Sequence, residues 1–310
     1  MFNRSKHRKF LGATLAFGAL ALAGCSSGNH DANSNPATAS TAATPAATAP
    51  QQGGTIKLAY VEWSSCVAST DIVAATLESK GYKVKTISVS AAAMFEAVAQ
   101  GDADAMVCAW LPTTHGAYYA KTQDQLDNLG PSMTKGTRLG LVVPDYVTIN
   151  SITQLPAHAK QFQDRIIGID PGAGIMSLTQ KVIEHYKLPE KLVSGSGATM
   201  TAALKDAIDN HQWVVVTGWS PHWMWARFKL KYLDDPDGIY GAPDDIDTLA
   251  RKGLQQDMPG AYAILDNFQW TAADMEQVMA ENEKNNQPEA NAKAWVKDHP
   301  TTVAEWTAGS

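Results

Sequence analysis

Three tryptophans, Trp63, Trp110 and Trp219, each stand just after a short apolar run. They occur in Glu62-Trp63-Ser64, in Trp110-Leu111-Pro112-Thr113-Thr114-His115 and in Gly218-Trp219-Ser220-Pro221-His222-Trp223. A large ring at the tip of a loop exposes apolar surface unless something covers it. Indole faces set as walls attract a soft, poorly hydrated cation with no hydrogen-bond donors, such as trimethylammonium, by about 0.5–2 kcal/mol per face. A second feature, Asp170-Pro171-Gly172-Ala173-Gly174-Ile175, places two glycines between a strand and a helix. Backbone N–H groups and the helix dipole favour an anion there. The segment is not a dinucleotide fingerprint, because Ser177 stands where the third glycine would be. His115 is a candidate donor to the same anion, with a capping or core role as its alternative. His222 is a less well placed candidate of the same kind. A cation cage beside an anion loop suits a small zwitterion. Trp213, Trp223, Trp225, Trp270, Trp295 and Trp306 read as packing residues.

These residues need a scaffold that brings strand ends together. The chain alternates short apolar runs with helical patterns, the signature of an α/β fold. Strands are predicted at Thr55–Val61, Val84–Val89 and Ala105–Ala109, with helices at Ser69–Lys80 and Ala92–Gln100 between them. The series recurs as strands Arg165–Asp170, Leu192–Ser194 and Trp213–Thr217, with helices Ser177–Tyr186 and Thr199–Asp209. Ser88, Ser90, Ala92, Met94 and Ala97 match Ser194, Ser196, Ala198, Met200 and Ala203 at one constant offset, and Trp110-Leu-Pro112 echoes Trp219-Ser-Pro221. Two similar β/α units predict two lobes facing each other across a cleft. In an open parallel sheet that cleft lies at the carboxyl ends of the strands, where the three tryptophans fall. The expected division is lobe 1 at 55–140 plus 242–310 and lobe 2 at 141–241, with crossings near Leu139–Val143 and Asp234–Gly241. The last segment reads as all helical, at Ile246–Lys252, Ala272–Glu281 and Ala290–Lys297.

The ends and the composition bound the setting. Arg4, Lys6, Arg8 and Lys9 precede the apolar run Phe10–Ala23, which is short for a membrane span and reads as a signal peptide over 1–24. Leu22-Ala23-Gly24-Cys25 is similar to a bacterial lipobox, making Cys25 the expected lipidation site. Residues 25–52 are Ser, Ala, Thr, Pro, Asn and Gln with almost no large apolar side chain, the composition of a flexible tether. Loss of 1–24 leaves 21 Lys+Arg against 31 Asp+Glu. An acidic body without basic clusters argues against nucleic acid and anionic membrane surfaces. Cys66 and Cys108 could form a disulfide in an oxidising compartment, or remain as two small buried apolar residues.

The segments Gly168–Met176, Thr217–Met224 and Ala109–His115 resemble the OpuAC-type substrate-binding component of glycine betaine ABC importers, and the resemblance runs from about Lys57 to Trp306. It implies a two-lobe clamshell of the periplasmic-binding-protein kind (type II-like), with the ligand in the interlobe cleft. It further implies that Trp63, Trp110 and Trp219 surround the quaternary ammonium, while the Gly174 and Ile175 amides and His115 hold the carboxylate. The expected partners are an ABC permease and its ATPase, the expected location is the extracytoplasmic side of the membrane through a lipid anchor, and the expected state is a monomer without metal or cofactor. Proline betaine, carnitine and choline are alternative ligands. An enzyme using Cys66 or Cys108 with His115 is disfavoured, because no orienting acid or nucleophile elbow accompanies them. A ligand-sensing domain without transport is the remaining rival.

Overall fold

A computed structural model describes residues 53–310. The expected signal peptide, Cys25 and the tether to Gln52 lie outside the described residues. The first half of the fold runs β1 (Thr55–Tyr60), α1 (Ser64–Ser79), β2 (Lys83–Ser88), α2 (Ala91–Gln100), β3 (Ala105–Leu111), α3 (Gly116–Thr122) and β4 (Leu126–Met133). The second runs β5 (Arg138–Pro144), α4 (Leu155–His158), β6 (Arg165–Ile167), α5 (Gly174–Tyr186), β7 (Lys191–Val193), α6 (Gly197–Asp209), β8 (Val216–Ser220), α7 (Met224–Arg227) and β9 (Leu230–Tyr232). The chain then returns through β10 (Asp245–Arg251) and ends in α8 (Leu254–Asp257), α9 (Pro259–Asn267), α10 (Ala272–Asn285), α11 (Pro288–Asp298) and α12 (Pro300–Trp306).

Two sheets result, ordered β2-β1-β3-β10-β4 and β7-β6-β8-β5-β9. In each, the first two pairings are parallel and the last two antiparallel. The internal repeat is thus visible in topology: β1 corresponds to β6, β3 to β8 and α1 to α5. The centre of each sheet is dry. β3 is buried along its whole length, and Ile56, Leu58, Met106 and Val107 have no exposed surface. Burial of that kind contributes about 1.5–3 kcal/mol per large side chain.

Several expectations are corrected. Ile246–Lys252 is not helical: β10 occupies it, antiparallel to both β3 and β4. Its interior is continuously buried, and a short apolar run of that sort carries no period that separates strand from helix. Leu139–Val143 is not a crossing but lies within β5 of the second sheet, so the first passage between sheets runs through 134–137. β8 begins at Val216, three residues later than Trp213, and pairs in parallel only with β6. Helix starts fall earlier than expected, most of all for α1 at Ser64 and α5 at Gly174.

Cys66, in the first turn of α1, and Cys108, in β3, are joined as a disulfide with Cα atoms 5.3 Å apart and a sequence separation of 42. Closing a loop of that length in the unfolded chain is worth on the order of 2–4 kcal/mol. Reduction, or Cys66→Ser, should therefore lower the melting temperature by roughly 5–15 °C. A scanning-calorimetry trace indifferent to reductant would show that the two sulfurs do not pair.

Candidate functional site

The carboxyl ends of β1, β3, β6 and β8 meet at one cavity. It is lined by Trp63, Trp110, His115, Gly174, Ile175 and Trp219, together with Ser65, Thr114, Leu139, Ile169 and Ala173. All six residues singled out from sequence are brought together. The cavity is small, with room for little more than a compact solute, and partly open to solvent. Its lining is almost entirely apolar apart from His115, Ser65, Thr114 and the backbone at Gly174 and Ile175.

Each wall is fixed by its own scaffold. Trp63 is the N-cap residue of α1, and its indole Nε1–H donates across the cleft to Asp170 Oδ1 at 2.8 Å. Trp63 also stacks on His115, with ring centroids 5.5 Å apart and planes 18° from parallel. Trp110, next to last in β3, forms a clasp with His115: the Trp110 N–H donates to His115 Nδ1 at 3.0 Å, and the His115 N–H donates to the Trp110 carbonyl at 2.9 Å. Trp219 pairs with Leu139 in the β5–β8 ladder, and its carbonyl accepts Trp225 Nε1–H at 2.8 Å. Both Trp-x-Pro segments contain a cis X-Pro bond.

His115 is buried, and burial pushes its imidazole down to about 4, only partly opposed by the Asp244 carboxylate. It is therefore neutral at pH 7. Because Nδ1 already accepts the Trp110 N–H, the proton sits on Nε2, leaving one N–H donor for an anion in the cavity. His222 follows the same logic. Burial holds it down to about 3, its Nδ1 accepts the Met224 N–H at 3.1 Å, and its Nε2–H then donates to Ser64 Oγ at 3.0 Å. That bond joins the second sheet's loop to α1, so His222 ties the halves together instead of lining the cavity.

Both buried histidines make stability depend on pH. Unfolded, each titrates near 6.5; folded, at about 4 and about 3. Below 6.5 the unfolded chain binds more protons, so stability is lost as pH falls through that window, by on the order of 3 kcal/mol for His115 alone. Asp71, raised to about 6 by burial and then by Glu289 and Glu62, works in the opposite sense, gaining stability as pH falls through the same range. Glu190, Asp247 and Glu276, each raised chiefly by burial, act as Asp71 does, but the two histidines carry the larger displacements, so melting temperature should still fall by roughly a few degrees between pH 7 and pH 4.5. A flat melting profile over that range would contradict neutral burial of the pair.

Three residues that sequence reading missed complete the arrangement. Asp244 accepts the Thr113 N–H at 2.7 Å and the Thr114 N–H at 2.9 Å, plus the Thr114 hydroxyl at 2.5 Å. It thereby anchors the loop that carries Trp110 and His115. Its own N–H donates to Thr137 Oγ1 at 2.7 Å, and that hydroxyl donates back to the Asp244 carbonyl at 2.8 Å. The two passages between the sheets are thus bonded side by side, directly behind the cavity. Asp170 and Tyr118 are the others; the Tyr118 hydroxyl donates to the Gly172 carbonyl at 2.7 Å, again across the cleft. No spacing rule points to any of the three, since each acts on a partner 54 or more residues away.

Among the described residues no cluster of His, Cys, Asp or Glu could hold a metal ion, and no helix is long and apolar enough to cross a membrane. With their sulfurs joined, Cys66 and Cys108 offer no thiolate nucleophile.

Two lobes of matching topology, closed over an apolar cavity with converging polar groups, define a clamshell ligand-binding protein. The family model described as the substrate binding domain of ABC-type glycine betaine transport systems matches residues 54–298, and the chain belongs to that family. A glycine betaine/carnitine transport binding protein, GbuC of Listeria monocytogenes, is 48% identical over 153 residues, covering 48% of this chain and 51% of that protein. The match thus spans about half the relative's length. Lactococcal OpuAC, solved closed with glycine betaine, is 42% identical with a TM-score of 0.78, covering 82% of this chain and 99% of that one. The glycine betaine/L-proline-binding protein ProX of Borrelia burgdorferi is 34% identical with a TM-score of 0.79, covering 82% and 96%.

Proposed function

We propose that this chain is a lipid-anchored, extracytoplasmic substrate-binding protein that captures glycine betaine and delivers it to an ABC permease and its ATPase. The observation that carries the reading is the single cavity walled by Trp63, Trp110 and Trp219, with the start of α5 and a neutral, Nε2-protonated His115 on its rim. The three indole faces take the trimethylammonium group, which has no donor to satisfy and little hydration to lose. The Gly174 and Ile175 amides at the start of α5, with His115 Nε2–H, take the carboxylate. No bond is made or broken, so the protein acts by binding and closure alone. The name of the Listeria relative favours carnitine as a second ligand of the same type, since it too is a trimethylammonium carboxylate.

Titration calorimetry of residues 53–310 against glycine betaine, carnitine, proline betaine and choline tests this reading. Glycine betaine should bind, and choline, which has no carboxylate, should bind at least tenfold more weakly. Tight choline binding with no response to glycine betaine would overturn the assignment of the carboxylate half.

A further inference from the structure

The topological repeat pairs α1 with α5. Their N-caps are Trp63 and Ala173, their first residues Ser64 and Gly174, and their second residues Ser65 and Ile175. Neither N-cap offers a side-chain hydrogen bond to its helix, and neither first turn contains an acidic residue. Two other helices close their starts with capping boxes, Ser196 with Thr199 on α6 and Thr271 with Asp274 on α10, while most of the rest, like α1 and α5, have no side-chain cap. Among the described helices, α1 and α5 are the two that bring first-turn residues, Ser65 from one lobe and Gly174 and Ile175 from the other, to the wall of the Trp-lined cavity. The first-turn N–H groups of a helix have no intrahelical acceptor and carry the positive end of its dipole.

Ser65 is a second, independent pointer to the same place. It is only 4% exposed, yet among the described residues its hydroxyl has no hydrogen-bond partner. Its neighbour Ser64 is committed to His222. The usual outlet for a serine within a helix is the carbonyl four residues back, and Ser69 takes it by donating to the Ser65 carbonyl at 2.9 Å. Ser65 does not: the Val61 carbonyl instead receives the Trp63 N–H at 2.7 Å. With no protein partner, the Ser65 hydroxyl is left to whatever occupies the cavity that Ser65 lines.

We propose that Ser65 is a ligand-contacting residue: its hydroxyl, at the uncapped start of α1, donates to the ligand's carboxylate from lobe 1, opposite the Gly174 and Ile175 amides of lobe 2. The two helix starts form a pseudo-symmetric anion clamp, and the carboxylate is what draws the lobes together. A ligand with the cation alone fills the cage without engaging α1. The inference rests on the glycine betaine reading and adds to it a residue that sets selectivity for carboxylates over bare quaternary ammonium ions.

The test compares Ser65→Ala with the parent in the full chain in mild detergent, using glycine betaine and tetramethylammonium as paired probes in calorimetry. Alanine is a good helix former and nearly the same size, and the ligand-free melting temperature reports any loss of fold. The expected result is a glycine betaine Kd raised about 5- to 10-fold, with tetramethylammonium affinity unchanged within about twofold. Equal weakening of both probes, or no change in either, would assign Ser65 to packing and remove it from the ligand while leaving the function standing. In a parallel choline titration, weakening of choline alone with glycine betaine untouched would overturn the inference in favour of a hydroxyl reader. Failure of the parent chain to bind glycine betaine would bring down the function itself, and the clamp with it.

Discussion

Replacing Trp219 with alanine is expected to raise the Kd for glycine betaine by about 10²-fold. A trimethylammonium group offers no hydrogen-bond donor, so its recognition rests on ring faces, each worth up to about 2 kcal/mol once water is excluded. Removing a buried indole also admits water and forfeits the apolar contact of the methyl groups. A combined loss near 3 kcal/mol corresponds to about two decades in affinity. Trp219 is the cleanest of the three to remove, because its neighbours are held independently. Leu139 stays in the ladder, and His222, edge-on to Trp219 with centroids 4.8 Å apart, is fixed by Met224 and Ser64. The Trp225 indole bonds the backbone carbonyl and keeps its partner in the variant. Trp219→Phe retains an aromatic face and should lose only about tenfold. Calorimetry with the melting temperature as a folding control measures both, and a Trp219→Ala affinity within threefold of the parent would show that the ring is not part of the ligand's surroundings.

The sequence announces the tryptophans because they break a rule of their position. A strand end in an α/β unit favours small turn residues, and an indole there asks for a covering partner. The two-lobe organisation was legible for a related reason: the matched serines at Ser90 and Ser196 are the N-caps of α2 and α6, equivalent helices of the two sheets. The starts of α1 and α5 were not legible. Helix starts are read from Ser, Thr, Asp or Asn at the cap, and here the caps are Trp63 and Ala173. β10 was missed because it returns from the second sheet to insert between β3 and β4, a placement fixed by pairing over more than a hundred residues. Asp244 and Asp170 were missed for the same reason. An aspartate in a loop is ordinary, and only the fold shows that one holds the Thr113–Thr114 amides and the other the Trp63 indole.

Gly174→Ala should abolish high-affinity binding while leaving the fold intact, because it strikes at the contact between lobes. A Cβ on Gly174 would lie 2.1 Å from the Thr114 carbonyl oxygen and 2.8 Å from its carbonyl carbon. That carbonyl belongs to the loop held by Asp244, so it has little freedom to retreat. Gly174 itself has no positive φ requirement; alanine suits the first turn of a helix, and the second lobe should fold as before. The clash therefore falls on closure alone. The variant lobes would be propped apart, separating Trp63, Trp110 and His115 from Trp219 and the α5 amides, and breaking the Trp63–Asp170, Ser64–His222 and Tyr118–Gly172 bonds that span the cleft. A ligand held by one lobe keeps part of the cage and none of the enclosure. The expected outcome is a Kd raised by 10²-fold or more, with a ligand-free melting temperature within a few degrees of the parent. Small-angle scattering should show a radius of gyration that no longer contracts on adding glycine betaine. Retention of both affinity and contraction would mean that the lobes meet differently around the ligand, and that the close approach of Gly174 to Thr114 is not what completes the site.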